Sequence, residues 1–243
     1  MIQQINSDKG RYYLRNGVKL PSVTSITRLH SRDNKFLQEW LSNPENVQAS
    51  QDAALFGRCV HNHLESYFKG FDDDTGYQFF YDAFNEFSWN KPHWCKEEID
   101  PNYRQSKAFF DKVFLAECEV IKPFVIAVEQ SFYSETFLCA GTVDLVLKVF
   151  NPDLLRYELT VIDFKTSGKK KSPNHLLTYR MQLAAYSVMV KEQFDLPVSH
   201  ARLLIGVVGT QMLQMVEVDT LDLKMALRSF AEYRDIYLKE NGF

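Results

Sequence analysis

Apolar and polar positions divide most of the chain into strands and helices. Two runs rich in Val, Ile, Thr and Phe, 140–150 (AGTVDLVLKVF) and 156–167 (RYELTVIDFKTS), are predicted to be neighbouring strands because the turn formers at 151–153 separate them. The stretch 175–190 (HLLTYRMQLAAYSVMV) predicts a helix that packs on them. Further strands are predicted over 123–134, 200–209 and 212–218. Strands interleaved with helices predict an α/β fold, with a central mixed β-sheet flanked by helices.

The N-terminal part of the chain predicts a hairpin followed by helices. Residues 10–20 (GRYYLRNGVKL) place Asn16-Gly17, a strong two-residue turn signal, between two short strands. A helix is predicted from about Gln48 to Lys69, and Gly70 ends it. A short helix is predicted within 34–47, ending near Asn43-Pro44, and other helices are predicted over 103–119 and about 221–238.

Residues 71–119 predict a helical insertion that is unusually aromatic. Its aromatic side chains up to residue 94 are Tyr77, Phe79, Phe80, Tyr81, Phe84, Phe87, Trp89 and Trp94. One interpretation is a small core within a helical subdomain. The other is a platform on which unpaired bases stack, each contributing ~1–3 kcal/mol, or an arch that a single strand threads.

Composition limits the class of protein. The 243 residues suit one large domain, or one domain with a helical insertion, and 45% apolar residues can form a sizeable core. The formal net charge of −3 gives no global attraction for nucleic acid, so any such contact needs a local basic patch. The chain has a polar start and no apolar run of membrane-spanning length, and we expect a cytoplasmic protein without membrane contact.

Two acids and a lysine stand out in the predicted strand pair. Asp144 interrupts an apolar strand, where a charge is costly unless it is paired or bound to a metal. Asp163 and Lys165 share one face of the next strand because side chains alternate. Carboxylates on adjacent strands can share Mg²⁺, and a nearby lysine can orient or deprotonate the attacking water. The alternative is a set of edge charges that face water.

Upstream, the predicted helix over 48–69 carries a histidine on a face shared with glycine. Gly57 lies one turn before His61 and would allow a close backbone approach, and His63 points nearly opposite. A lone helical histidine is either a packed side chain or a ligand, and both interpretations stay open from the residues alone. In the strand over 123–134, Glu129 breaks an apolar run, which favours either an edge charge or a further carboxylate near a metal.

These motifs together resemble the core of PD-(D/E)XK nucleases in their RecB-type exonuclease branch. The resemblance covers about residues 10–210. It rests on Val143-Asp144, DFKTS (163–167), MQLAAY (181–186) with Gln182 and Tyr186, GRCVH (57–61) and Glu129. Val143 departs from the usual proline but leaves the acid in place. The segment LPSVTSIT (20–27) is similar to that of phage exonucleases and of the mitochondrial genome-maintenance exonuclease.

The resemblance implies a restriction-endonuclease-like core and a DNA exonuclease that depends on Mg²⁺ or Mn²⁺. It implies metal ligands and a lysine that activates or orients water, with further residues in support. The implied ligands are His61, Asp144, Asp163 and the carbonyl of Phe164; Lys165 acts on the water, and Glu129, Gln182 and Tyr186 support the site. Some relatives hold an iron–sulfur cluster through three cysteines near the C-terminus. This chain has no cysteine after Cys139, so we expect no cluster, and its four cysteines are expected to be free thiols.

Several polar residues are candidates for contacts with DNA phosphates. Hydroxyl groups near a helix start can either cap that helix or hold a phosphate, and a basic loop beside the metal site would give salt-dependent binding. The candidates are Ser22, Thr24, Ser25, Thr166, Ser167, Lys169, Lys170 and Tyr186.

The expected substrate is DNA with single-stranded or free ends, and partner proteins of a replication or recombination complex are also expected. Two alternatives remain: a structure-specific endonuclease, and a non-cleaving nucleic-acid-binding subunit of a recombination or defence complex. The complete acid–acid–lysine set disfavours the non-cleaving subunit. A small-molecule enzyme would need a Gly-rich phosphate loop or a nucleophile motif, and the sequence shows neither.

Overall fold

A computed structural model describes residues 2–7, 10–32, 34–86 and 95–242. Within these ranges the chain forms eight strands and eight α-helices. The strands are β1 (Ile2–Ser7), β2 (Gly10–Arg15), β3 (Val18–Pro21), β4 (Val125–Ser134), β5 (Cys139–Asn151), β6 (Arg156–Ser167), β7 (Val198–Val207) and β8 (Met212–Val218). The helices are α1 (Val23–Arg32), α2 (Lys35–Leu41), α3 (Pro44–Lys69), α4 (Asp73–Glu86), α5 (Lys96–Val113), α6 (Leu115–Ile121), α7 (Leu177–Phe194) and α8 (Thr220–Asn241).

The central sheet has five strands in the order β4-β5-β6-β7-β8. Its neighbours run antiparallel except β6 and β7, which are parallel because α7 crosses between them. The sheet is therefore mixed and flanked by helices, which confirms the predicted restriction-endonuclease-like α/β class. Each strand predicted between residues 123 and 218 is present, with ends within two residues of the prediction.

Helices cover both faces of this sheet. On one face α1, α7 and α8 pack against Val161, Leu203 and their neighbours. On the other face α3, α5 and α6 pack against Ile162, Phe164 and Leu204. Most of α7 is buried on every side, as expected for a helix between a sheet and other helices. The chemistry-bearing residues of β5 and β6 thus lie between two apolar layers.

A second, three-stranded sheet is formed by β1, β2 and β3. The turn Asn16-Gly17 joins β2 to β3, and both turn residues have positive φ, as the hairpin signal predicts. The sequence did not predict β1, which pairs antiparallel with β2. Tyr13 of β2 is fully buried, and its hydroxyl lies 3.0 Å from Thr142 Oγ1 on β5. This contact fastens the small sheet to the central one, near the predicted site.

The predicted helical insertion corresponds to α4, α5 and α6 in the described ranges. Phe80 and Phe84 of α4 are buried with Cys59 of α3 and Ile99 of α5. The core interpretation is therefore confirmed for these two aromatic residues. Phe87, Trp89 and Trp94, which belong to the same predicted platform, lie outside the described residues.

Two broader expectations concern the membrane and the cysteines. No helix in the described ranges has the length and apolar character needed to cross a membrane. Cys59, Cys95, Cys118 and Cys139 are all free thiols, as predicted.

Candidate metal centre

Asp144 and Asp163 face each other across the β5–β6 pair. The register pairs Leu145 with Ile162, so the two acids lie opposite one another. The backbone N–H of Phe164 donates to Asp144 Oδ2 at 2.7 Å. The Asp144 side chain is 11% exposed, and its Oδ2 lies 3.9 Å from Nδ1 of His61 on α3.

Glu129 reaches the same place through an unusual backbone conformation. It lies on β4 between Val128 and Gln130, which pair with β5, and its φ is +44°. A non-glycine residue in this left-handed region stores strain, and such strain clusters at functional sites. Glu129 Oε1 lies 3.5 Å from His61 Nδ1. The strained strand therefore aims this carboxylate at the histidine.

His61 enters the site from α3. Its Nε2 lies 2.9 Å from the carbonyl oxygen of Phe164. A carbonyl can only accept, so Nε2 carries the hydrogen, and Nδ1 faces Glu129 and Asp144 at 3.5 and 3.9 Å. The close approach of α3 depends on Gly57, where a Cβ would lie 2.9 Å from Thr166 Oγ1. The predicted pairing of Gly57 with His61 thus has a steric reason.

The charges at the site shift the pKa of both His61 and Asp144. Burial alone would lower the pKa of His61, but the charges of Asp144 and Glu129 outweigh burial and raise it to about 9. Burial raises the pKa of Asp144, although the charge of His61 opposes that effect. The three ionisable side chains therefore lie close together, and a bound cation would offset the negative charges of the two carboxylates.

This group has the chemistry of a divalent-metal site. One ligand atom each from His61, Glu129 and Asp144 lies within 4.8 Å of the others. The hydrogen bond from Nε2 to Phe164 fixes the imidazole ring, as second-shell contacts of metal-bound histidines do, and directs Nδ1 to the carboxylates. Two carboxylates and one imidazole fit Mg²⁺ or Mn²⁺ better than a soft metal.

Asp163 lies beside this group and is engaged by other side chains. It is fully buried, and its Oδ2 lies 2.5 Å from Lys165 Nζ. That contact is a close ion pair, although Oδ2 has no well-aligned hydrogen bond. Gln182 Nε2 donates to Asp163 Oδ1 at 3.0 Å and to the hydroxyl oxygen of Tyr186 at 2.9 Å. Gln182 and Tyr186 are buried, and Gln182 links the Tyr186 hydroxyl to Asp163.

The predicted carbonyl ligand, that of Phe164, accepts two hydrogen bonds in this structure. One comes from His61 Nε2, and the other comes from Lys165 Nζ at 3.1 Å. Burial alone would lower the pKa of Lys165, but the charges of Asp163 and Asp144 outweigh burial and raise it. Lys165 is therefore a cation at neutral pH, suited to orient water and to neutralise charge on phosphate.

Seven of the eight predicted phosphate contacts occupy two separate places, and the eighth, Tyr186, is buried beside Gln182 on α7. Ser22 is buried, and its Oγ lies 2.8 Å from Thr24 Oγ1; Ser25 Oγ donates to the carbonyl of Arg11. These hydroxyls lie at the start of α1. The carbonyl of Ser22 accepts from the N–H of Ser25 and Ile26, so the first hydrogen bonds of α1 are backbone bonds.

The second place is the loop after β6. Lys169 and Lys170 are exposed there, whereas Ser167 Oγ donates to the carbonyl of Lys169 and so holds the loop. Thr166 points its hydroxyl at Gly57. The metal centre and this basic loop are therefore connected directly by the last residues of β6.

Two contributors were missed by the sequence prediction. A Cβ at Gly141 would lie 2.6 Å from Tyr186 Cε1, so this glycine makes room for the ring of Tyr186. A lone glycine within a strand signals such a close approach, and that signal was present. Gln214 on β8 contacts the basic loop through both atoms of its amide, and no motif marks it.

The chain belongs to the PD-(D/E)XK nuclease superfamily, whose family model matches residues 11–232. No curated protein matches the chain. Among solved structures, one titled "Crystal structure of SSO0001" is similar with a TM-score of 0.31 and 19% identity, over 57% of this chain and 64% of that chain. The alignment thus covers less than two thirds of that protein.

The two histidines of α3 are expected to have opposite roles. His63 is buried, lies 2.9 Å from Ser106 Oγ and stacks on Phe80. His63→Ala should lower the free energy of unfolding by about 2–3 kcal/mol, because it leaves a cavity beside Phe80 and removes the hydrogen bond to Ser106. His61→Ala, its matched control, should instead abolish the rise in melting temperature that Mn²⁺ produces. Thermal melts with and without Mn²⁺ measure both effects, and an exchange of the two outcomes would contradict the assignment.

Gly141 is expected to tolerate no side chain. Gly141→Ala should lower the free energy of unfolding by about 1–3 kcal/mol, because the methyl group meets the buried ring of Tyr186. Gly168→Ala is the matched control, since a Cβ there meets nothing within 4 Å. Urea denaturation of both variants checks the difference, and equal stabilities would contradict the close approach.

Proposed function

We propose that the protein is a metal-dependent deoxyribonuclease that removes nucleotides from single-stranded DNA ends. The observation that carries the proposal is the group formed by His61, Glu129 and Asp144, next to the buried pair Asp163–Lys165. Membership of the nuclease superfamily supports phosphodiester hydrolysis in general. The preference for single-stranded ends rests on the resemblance of the motifs to RecB-type exonucleases.

In this proposal the residues have distinct roles. His61, Asp144, Asp163 and Glu129 would hold Mg²⁺ or Mn²⁺, and the carbonyl oxygen of Phe164 would be a further ligand. The cation supplies a Lewis acid that offsets negative charge on the phosphate. Lys165 orients the attacking water and adds positive charge near the scissile phosphate.

Gln182 and Tyr186 hold Asp163 in place through their hydrogen bonds. Gly57, which lies against Thr166, allows α3 to approach β6 closely. Thr166, Ser167, Lys169 and Lys170 are proposed to contact the DNA backbone. Thr24 and Ser25 complete the proposed contacts with nucleic acid, whereas Ser22 and Tyr186 are too deeply buried to reach it. We further propose that residues 1–243 form one nuclease domain that acts in the cytoplasm, with partner proteins of a replication or recombination complex.

The test is a panel of labelled nucleic acids incubated with Mg²⁺ or Mn²⁺, with EDTA as the control. We expect short products from linear single-stranded DNA, and slower or no cleavage of circular single strands, blunt duplex and RNA. Asp163→Ala should abolish the products, and products that persist in this variant would come from a contaminant or another site. Labels at the 5′ and 3′ ends in separate reactions give the polarity.

Two other outcomes would replace the proposal. Cleavage of circular single strands or of branched duplexes would favour a structure-specific endonuclease. Tight, salt-sensitive binding of every substrate without cleavage would favour a non-cleaving subunit.

A further inference from the structure

The basic loop at 168–171 (GKKK) is fixed by its backbone at both ends. Gln214 Nε2 on β8 donates to the carbonyl of Lys171, and Gln214 Oε1 accepts from the N–H of Lys171, each at 2.8 Å. At the other end, the N–H of Gly209 donates to the carbonyl of Gly168 at 3.2 Å. The Gln214 amide thus pairs with the loop as a neighbouring strand would.

Further contacts restrict the middle and the start of the loop. Ser167 Oγ donates to the carbonyl of Lys169 at 2.8 Å. A Cβ at Gly209 would lie 2.8 Å from the carbonyl oxygen of Gly168, so the two backbones pass too closely for a side chain there. Meanwhile Lys169 and Lys170 are exposed. The loop therefore presents two ammonium groups on a backbone that is already ordered.

We propose that Gln214 is a positioning residue that holds Lys169 and Lys170 against a backbone phosphate next to the one that is cleaved. This inference rests on the proposed function for its ligand. Strand β6 carries Lys165 at the metal centre and leads four residues later to Lys169. The substrate backbone accordingly passes from the metal centre across the end of β6 toward β8. An ordered loop loses less conformational freedom when phosphate binds, and affinity rises for that reason.

The first experiment tests the fixed loop without any nucleic acid. Gln214→Leu removes both hydrogen bonds at similar size, and Gln193→Leu makes the same change at an exposed position of α7. Trypsin digestion of the folded proteins, followed by mass spectrometry, measures cleavage after Lys169, Lys170 and Lys171. We expect at least about tenfold faster cleavage in Gln214→Leu, since the loop must open for the protease. An unchanged rate would overturn the fixing role of Gln214.

The second experiment measures the affinity for a fluorescent single-stranded oligonucleotide in EDTA at several salt concentrations. Gln214→Leu should bind about tenfold more weakly than both the wild type and Gln193→Leu, equivalent to roughly 1.4 kcal/mol. The double variant Lys169→Gln/Lys170→Gln should lower the slope of log affinity against log salt by about 0.7, because the two lysines share one phosphate and each phosphate contact on a single strand contributes about 0.7.

The two measurements separate the possible failures. Faster trypsin cleavage with unchanged DNA affinity in Gln214→Leu would overturn the phosphate contact and leave a purely structural contact. A wild type that binds no DNA would overturn the proposed function and the contact with it, whereas the trypsin result would still decide whether Gln214 fixes the loop.

Discussion

Asp144→Asn is expected to lower the rate of DNA cleavage about a thousandfold. The substitution keeps the shape of the side chain, and the amide oxygen can still accept from the N–H of Phe164. It removes the negative charge that faces His61 and Glu129, and hard cations need such anionic oxygen ligands. Loss of about 4 kcal/mol of stabilisation of charge by a metal corresponds to about a thousandfold in rate. Single-turnover cleavage of end-labelled DNA measures the rate.

A matched control separates the loss of charge at the metal centre from the loss of one negative charge elsewhere in the protein. Asp153→Asn makes the same chemical change in the turn that joins the same two strands, where the side chain is exposed. It should leave the cleavage rate and the Mn²⁺ affinity unchanged. Cleavage by Asp144→Asn within a few-fold of the wild type, with a folded protein by thermal melting, would remove Asp144 from the metal centre.

The sequence predicted those parts of the site that depend on short-range geometry. Asp144 and Asp163 face each other because a short turn joins two strands with alternating side chains, and this register is local. Gly57 and His61 were recognised as a pair because their spacing places both on one helix face. The contact between His61 and the carbonyl of Phe164 links residues 103 positions apart, and the motif resemblance placed both at the metal without predicting their hydrogen bond.

Other parts could not be predicted because they depend on how distant elements pack. Nothing in the residues around Glu129 signals its positive φ, since the conformation follows from the pairing of its neighbours with β5. The partners of Asp163 follow from the packing of α7 on β6, which brings Gln182 within 3.0 Å. Gln214 meets Lys171 only because β8 and the basic loop converge in space.

One boundary error had a signal that the prediction did not use, and one strand that lacked a signal was missed. Helix α3 begins at Pro44, earlier than the predicted Gln48, and Asn43 caps it by accepting from the N–H of Glu45. A capping Asn followed by Pro is a recognised helix start. Strand β1 has few apolar residues and forms by pairing with β2, so local hydrophobicity did not mark it.

Lys165→Met is expected to lower the cleavage rate by about 10²–10⁴, the range of a lost acid–base or water-orienting group. The substitution also leaves the fully buried Asp163 without its cation, and breaking such a pair destabilises a protein by roughly 3–5 kcal/mol. The double variant Lys165→Met/Asp163→Asn removes both charges, so it should recover most of the stability and none of the activity. Lys148→Met, at an exposed lysine on β5, is the matched control and should match the wild type.

Metal affinity then decides whether Asp163 is a ligand or solely the partner of Lys165. Calorimetric titration with Mn²⁺ should give at least about tenfold weaker binding for Asp163→Asn, a loss of roughly 1.4 kcal/mol, if its carboxylate joins His61, Glu129 and Asp144. Lys165→Met should bind Mn²⁺ as tightly as the wild type or more tightly, because a competing cation has left Asp163. Unchanged Mn²⁺ binding by Asp163→Asn, together with lost cleavage, would restrict the metal to the other three side chains. Asp163 would then act through the ammonium group of Lys165, which its buried carboxylate keeps charged and in place.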